Sequence, residues 1–253
     1  MTKQATGRRV RAAARGVGEV MMSIGVVLLL LCVYQLWWTN VQSSVAIAQA
    51  QDQIVSQWRT SSPTPTVSAT PSSANSQKPS PTPTPTPTPT RRKLVSNQGF
   101  ALLYIPRLRD KVWGLPIIEG TEKKMLARGA GHYVNSARPG DVGNFGIAAH
   151  RSTHDEPFAN FPDLQKGDKV YVETATTWYT YTLTRDNSHL SPTDVWVLDP
   201  VPGKPKAAPT QQLITMTTCT PRYGSTGRWA WWGILTAQQL KTEGPPDGLK
   251  HTK

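Results

Sequence analysis

The sequence predicts a mainly β protein carried on an apolar helix. The expected fold is a compact β-barrel or sandwich of eight short strands with one or two small helices. A transmembrane helix and a disordered Pro/Thr linker precede it. Three observations predict this: one charge-free apolar run, a stretch in which many of the 22 prolines crowd together, and eight β-branched or aromatic segments within about 140 residues, most of them flanked by Gly, Pro, Asn or Asp.

Residues 1–17 are a basic cytoplasmic tail holding Lys3, Arg8, Arg9, Arg11 and Arg15. The transmembrane helix is expected over 18–39. Its apolar stretch from Val20 to Trp38 carries no charge, and nineteen residues at helical rise span roughly 28 Å, enough for a bilayer core. Basic residues before it and Trp37 and Trp38 at its end put the N-terminus inside and the rest outside, as a single-pass protein of the cell membrane. A cleaved signal peptide is the rival reading. It would have a shorter apolar region, and the nearest small-residue sites, Ala46, Ala48 and Ala50, do not follow the run directly.

Residues 40–59 place Val45, Ile47, Ile54, Val55 and Trp58 near helical spacing, so a short helical extension should leave the membrane. Residues 60–97 form the Pro/Thr/Ser-rich linker. Alternating Pro-Thr opposes helix and sheet, and in extended polyproline II form about 30 residues would reach ~90 Å.

The folded domain is expected over 98–240, with a polar tail at 241–253. Strands are predicted at 100–108, 111–118, 144–150, 169–176, 178–185, 195–200, 213–219 and 229–235. The strict alternation of residues 179–184 marks a half-buried strand, joined to its predecessor by a hairpin at Thr176-Thr177. Helical signals are confined to 121–128 and 156–161.

The formal charge is +12, which fits anionic lipid or wall polymers as well as nucleic acid. Five of the basic residues belong to the membrane flank and no aromatic-plus-basic motif follows, so no nucleic-acid partner is expected. The two cysteines, Cys32 in the apolar span and Cys219 in the domain, cannot reach each other. Cys219 is then an unpaired thiol in an extracytoplasmic domain, where cysteines are normally paired or avoided.

A lone strand cysteine is more often a small core hydrophobe than a nucleophile. Its setting argues otherwise. Cys219 ends a strand, Pro221 stops that strand just beyond the thiol, and Arg228 opens the next strand, so Cys219 and Arg228 should sit side by side at one end of the barrel. Among the five histidines, His251 lies in the polar tail and His189 in a charged loop. His132 and His154 stand in loop-like contexts without metal-ligand spacing. His150 ends a strand of small residues and is the candidate partner of the thiol. A thiolate attacks a carbonyl, a guanidinium stabilises the oxyanion, and an imidazole shuttles the proton. Arg151 and Arg222 read as solvated or structural. Trp229 and Trp231 face one side of their strand, as core packing or a barrel rim.

Here the motifs carry a resemblance. The run from Ile214 through Cys219 to Arg228 resembles the sortase signature, and the segment ending in Ala149-His150-Arg151 is similar to the sortase His segment, with Ala149 where Gly often stands. The opening Tyr104-Ile105-Pro106, the Gly131-His132-Tyr133 triplet, and the segments 138–144 and 191–200 look most like class E sortases of high-GC Gram-positive bacteria. The resemblance implies an eight-stranded sortase barrel and a thioester on Cys219, with His150 and Arg228 in the roles above. It implies substrate-binding places for Tyr133, Thr217 and Thr218, Tyr133 being tied to a Leu-Ala-x-Thr-Gly signal rather than Leu-Pro-x-Thr-Gly. The partners it implies are surface proteins with C-terminal sorting signals, cleaved between Thr and Gly, and an amine of peptidoglycan or its lipid-linked precursor. Membrane lipid is a further partner, through the N-terminal helix. No cofactor is expected, and no acidic cluster suggests calcium. A thiol peptidase that only hydrolyses and a non-catalytic wall-binding module are the competing functions.

Overall fold

The computed structural model describes residues 2–61 and 94–250. It begins with one unbroken helix, α1 (Thr2–Ser61), so the transmembrane segment and its extension are a single element. The stretch Arg15–Tyr34 is long and apolar enough to cross a membrane, and it is exposed along its length. The Pro/Thr-rich segment 62–93 and the expected reach of the linker lie outside the described residues, as does His251.

Beyond it, eight strands close into a barrel: β1 (Gly99–Tyr104), β2 (Trp113–Glu119), β3 (Ala130–His132), β4 (Gly143–Ala148), β5 (Lys169–Glu173), β6 (Thr177–Leu190), β7 (Gln212–Thr220) and β8 (Gly227–Leu240). Their order around the barrel is β1-β2-β3-β4-β7-β8-β6-β5. Two pairings are parallel, β2 with β3 and β4 with β7; the rest are antiparallel. Short helices α2 (Lys123–Leu126) and α3 (Asp247–Lys250) complete the fold.

Alternation decides which side chains enter the barrel. Phe145 and Ile147 of β4, Val170 and Val172 of β5, Tyr181 and Leu183 of β6, Ile214 and Met216 of β7 and Trp231 of β8 form one core cluster. Each such side chain contributes about 1.5–3 kcal/mol by leaving water. Trp229 packs against the same cluster, so Trp229 and Trp231 share the inner face as their spacing predicts. The β5–β6 hairpin turns through Thr174–Thr177, with the Thr174 N–H donating to the Thr177 carbonyl at 2.9 Å.

The far end of α1 packs on the barrel. Ser43, Ala50 and Ile54 are buried, Ala50 against Ile118 and Met125 and Ile54 against Gly99, where no side chain would fit. Gln98 Nε2 donates to Gln57 Oε1 at 3.3 Å, and Lys241 Nζ stands 4.1 Å from the centre of the Trp58 ring. The face is Ser43, Ile47, Ala50 and Ile54; Val45, counted in the sequence pattern, is exposed.

Several expectations are corrected. Residues 195–200 are no strand: Val195–Leu198 is a 3₁₀ turn, because Asp194 accepts the Ser191 N–H at 2.6 Å and closes a turn just before it. The eighth strand is instead β3, whose three residues are all buried and show no alternation. The 156–161 helix is absent; only a 3₁₀ turn at Phe161–Asp163 follows the loop. His189 lies in β6, because that strand runs on to Leu190 to pair with Arg228. The tail 241–250 is ordered, with Lys241 paired to Glu173 and α3 against Tyr171.

Candidate active site

Two strand registers bring the predicted residues together. In the antiparallel β7–β8 pair, Cys219 lies directly opposite Arg228. In the parallel β4–β7 pair, Ala148 matches Thr217. The chain runs on in step past β4, since the Ala149 N–H donates to the Thr217 carbonyl at 3.2 Å and Thr218 Oγ1 donates to the Ala149 carbonyl at 2.9 Å. Two residues beyond Ala148 this register sets His150 alongside Cys219. His150, just past the end of β4, thus falls in one row with Cys219 on β7 and Arg228 on β8.

Alternation sorts the flanking threonines. Thr217 shares the outer face of β7 with Cys219, while Thr218 shares the inner face with Met216 and Ile214 and is buried. β7 ends at Thr220, immediately before Pro221, and β8 opens at Gly227.

Cys219 is a free, half-buried thiol, and Cys32 is free as well. Arg228 NH1 donates to the carbonyls of Ser225 (2.9 Å) and Gly227 (2.8 Å), which anchor the guanidinium to its own loop and leave its other edge for a ligand. His150 is half-buried. Among the described residues its buried Nε2 has no hydrogen-bond partner, so that nitrogen is free for proton exchange. Burial, and then the neighbouring His154, push its pKa down from 6.5 to about 4. The imidazole is therefore neutral at pH 7.

Beside this row opens a cleft of about 110 Å³. Arg228, Thr217 and Tyr133 form its polar floor, and Leu190, Val195, Val197 and Leu198 form an apolar roof from the β6–β7 connection. Tyr133 Oη and Thr217 Oγ1 are 3.0 Å apart. Gly146 permits this closeness: a Cβ there would meet Leu198 at 2.8 Å and Tyr133 at 3.1 Å. An apolar cleft with a few convergent polar groups suits a short extended peptide. Of the residues expected to bind substrate, Tyr133 and Thr217 line this cleft and Thr218 does not. No three His, Cys, Asp or Glu side chains among the described residues gather as a ligand set.

Sequence reasoning missed three contributors. His154 was set aside, yet its ring stacks on His150 at 4.6 Å between centroids. His132 is fully buried, with Nδ1 2.5 Å from Glu119 Oε2 and Nε2 3.0 Å from Ser136 Oγ, and so holds the segment that carries Tyr133. Arg151 and Arg222 are structural, as expected: Arg151 reaches Thr220 Oγ1 at 3.4 Å and Arg222 binds Glu156 at 2.6 Å. The roof was read as a strand. No signal in the sequence marks these contacts in advance.

Comparison with known proteins agrees with this geometry. Residues 103–236 match the family model described as Sortase domain. The chain is 37% identical over 257 residues to Sortase SrtE1 of Streptomyces coelicolor, covering 98% of this chain and 65% of that relative's length. To Sortase SrtE2 of the same organism it is 30% identical over 256 residues, covering 96% and 91%. Among solved structures, sortase E from Streptomyces avermitilis matches with a TM-score of 0.55 at 40% identity, over 62% of this chain and 99% of that one. Sortase E1 from Streptomyces coelicolor, solved with a tripeptide in its active site, matches with a TM-score of 0.56 at 39% identity, over the same shares.

Proposed function

Because the chain belongs to the sortase family of cysteine transpeptidases, as a class E member, we propose that it cleaves a C-terminal sorting signal of the Leu-Ala-x-Thr-Gly or Leu-Pro-x-Thr-Gly kind between Thr and Gly. It then joins the Thr carbonyl to an amine of peptidoglycan or its lipid-linked precursor. The observation that carries this is the row of His150, just past the end of β4, with Cys219 on β7 and Arg228 on β8, beside the cleft floored by Tyr133, Thr217 and Arg228. The basic residues before Arg15–Tyr34 support an N-terminus in the cytoplasm and a barrel outside, anchored by α1.

The chemistry follows from the neutral imidazole. Cys219 Sγ attacks the Thr carbonyl carbon while its proton passes to His150. The carbonyl electron pair becomes an oxyanion, which the free edge of Arg228 stabilises by charge-assisted hydrogen bonds. Collapse breaks the C–N bond, the proton moves from His150 to the departing Gly amine, and a thioester remains. The incoming amine attacks that thioester and gives its proton to His150. Sγ then leaves and takes the proton back. Tyr133 and Thr217 present hydroxyls at the cleft floor for the signal's backbone.

The test is cleavage of a fluorogenic sorting peptide by the full chain with an amine acceptor present, comparing wild type with Cys219→Ala, His150→Ala and Arg228→Ala. All three variants should lose activity, and wild type should yield the amine-joined product. Activity retained by Cys219→Ala ends this reading, and a product that is only hydrolysed whatever the amine reduces the protein to a peptidase.

A further inference from the structure

Immediately after the row of reacting groups, the chain makes a turn that ordinary sequences avoid. His154, Asp155 and Glu156 have φ of 54°, 62° and 50°, three successive non-glycine residues in the left-handed region. His and Asp are among the non-glycine residues that adopt this region most readily, but three L side chains in succession there still carry a cost each. Such a run persists only where surrounding contacts over-determine it, and here each member has a separate contact. His154 stacks on the His150 ring at 4.6 Å and 18°. Asp155 pairs with Lys111 at 3.3 Å, on the segment between β1 and β2. Glu156 pairs with Arg222 at 2.6 Å, on the loop that follows Cys219. The two ion pairs are partly exposed, a class that returns little stability, so they do not by themselves account for three left-handed residues. The segment is closed behind His150 as well: the Phe158 N–H donates to the His150 carbonyl at 2.9 Å, and Phe158 is fully buried in the core.

We propose that His154 is a positioning residue for the reaction: its ring holds the His150 imidazole in plane, and the left-handed turn fastens that ring to the loop that follows Cys219. This rests on the reading of His150 as the proton carrier. One end of the turn touches the imidazole and the other, through Glu156 and Arg222, touches the chain three residues after the thiol. Movement of His150 relative to Cys219 therefore requires breaking a ring stack and an ion pair at once. Without the stack, the half-buried ring, whose Nε2 has no hydrogen-bond partner among the described residues, would be free to turn. Misplacing a reacting group by about an ångström can cost on the order of 10²-fold in rate, so a partial loss of aim is measurable.

The experiment compares the full chain in detergent as wild type, His154→Ala, His154→Phe and His150→Ala. The readouts are kcat and KM for a fluorogenic sorting peptide, with thermal unfolding recorded alongside. His154→Ala should lower kcat by roughly 10-fold with KM unchanged, and His154→Phe, which keeps a stacking ring, should restore most of it. Wild-type kcat in His154→Ala overturns the proposal. So does a His154→Phe variant that folds yet is as slow as His154→Ala, or a loss that lies wholly in KM. His150→Ala keeps the two readings apart. If it stays active, the reading of His150 itself fails; if it is inactive while His154→Ala is not, only the positioning role fails.

Discussion

Burial, reinforced by the neighbouring His154 ring, holds the His150 pKa near 4, and this has two consequences at the scale of single residues. The first is kinetic. His150 must be neutral to accept the thiol proton, so the acid limb of kcat/KM for peptide cleavage should fall well below pH 6.5, towards pH 4. An acid limb at pH 6.5 would contradict a buried, neutral imidazole. The second is thermodynamic. With the folded pKa below the unfolded value, the unfolded chain binds more protons between pH 6.5 and about 4, so stability declines as pH falls through that window and levels off below it. His154, also lowered by burial, acts in the same direction. Melting curves from pH 7 to 4 should show a shallower decline in His150→Asn than in wild type. Arg228 makes a different kind of point. Its NH1 is spent on the Ser225 and Gly227 carbonyls, so only a fork-shaped group can grip the loop and face the oxyanion together. Arg228→Lys should keep the fold and lower kcat by on the order of 10²-fold, read in the same peptide assay.

Among the elements, the connection from β6 to β7 decides the shape of the cleft, and it is held from below by β4. Asn144 is fully buried. Its Nδ2 donates to the carbonyls of Val197 (3.1 Å) and Asp199 (3.0 Å), and its Oδ1 accepts from Thr215 Oγ1 at 2.7 Å. Trp232 adds a bond from Nε1 to the Val197 carbonyl at 3.3 Å and a stacked contact with Trp196. Removing the amide would leave two carbonyls and a hydroxyl without it, a loss of about 2–4 kcal/mol. Asn144→Ala should therefore lower the melting temperature by roughly 4–15 °C and raise KM for the sorting peptide more than it lowers kcat, because the roof over Tyr133 and Thr217 loosens. The same connection shows why its sequence misled. Val195, Trp196 and Val197 have strand composition, but Trp196 and Val197 pack over Ala230 and Trp232 of β8 while Val195 is exposed, and the Val197 carbonyl bonds to side chains rather than to a ladder.

For the molecule as a whole, the docked end of α1 sets how the barrel stands relative to a membrane. The apolar run ends at Trp38, and the buried Ser43 follows five positions on, about 8 Å along the helix. Barrel contacts then continue along α1 to Trp58. With α1 in a bilayer, the barrel rides close to the headgroups, where a lipid-linked amine would be within reach. Ile54→Asp places a charge in a fully buried site and should release the helix from the barrel. In full chain carrying Cys32→Ser and Cys219→Ser, a short bismaleimide should bridge Gln57→Cys to Gln98→Cys. Adding Ile54→Asp should sharply reduce that yield, and shortening the Pro-Thr repeat should not.

Much of this was legible in the chain because it depends on neighbours in sequence. The apolar span, the alternation of β6, the β5–β6 hairpin and the Cys219–Arg228 pair all join segments a turn apart, and a short connection forces adjacent strands to pair. What only the tertiary structure decided mostly joins segments far apart: the parallel β4–β7 register that brings His150 to Cys219, the pairing of the three-residue β3, the buried Glu119–His132 pair beneath Tyr133, and the face of α1 on Gly99; the ring of His154 on His150 is local in sequence but depends on a left-handed turn. The physical reason is that alternation tells which face of a strand is buried but not which strand lies beside it. The free thiol and its arginine were therefore readable in the sequence as a pair, and the place of the His150 imidazole beside them was decided only once the barrel was closed.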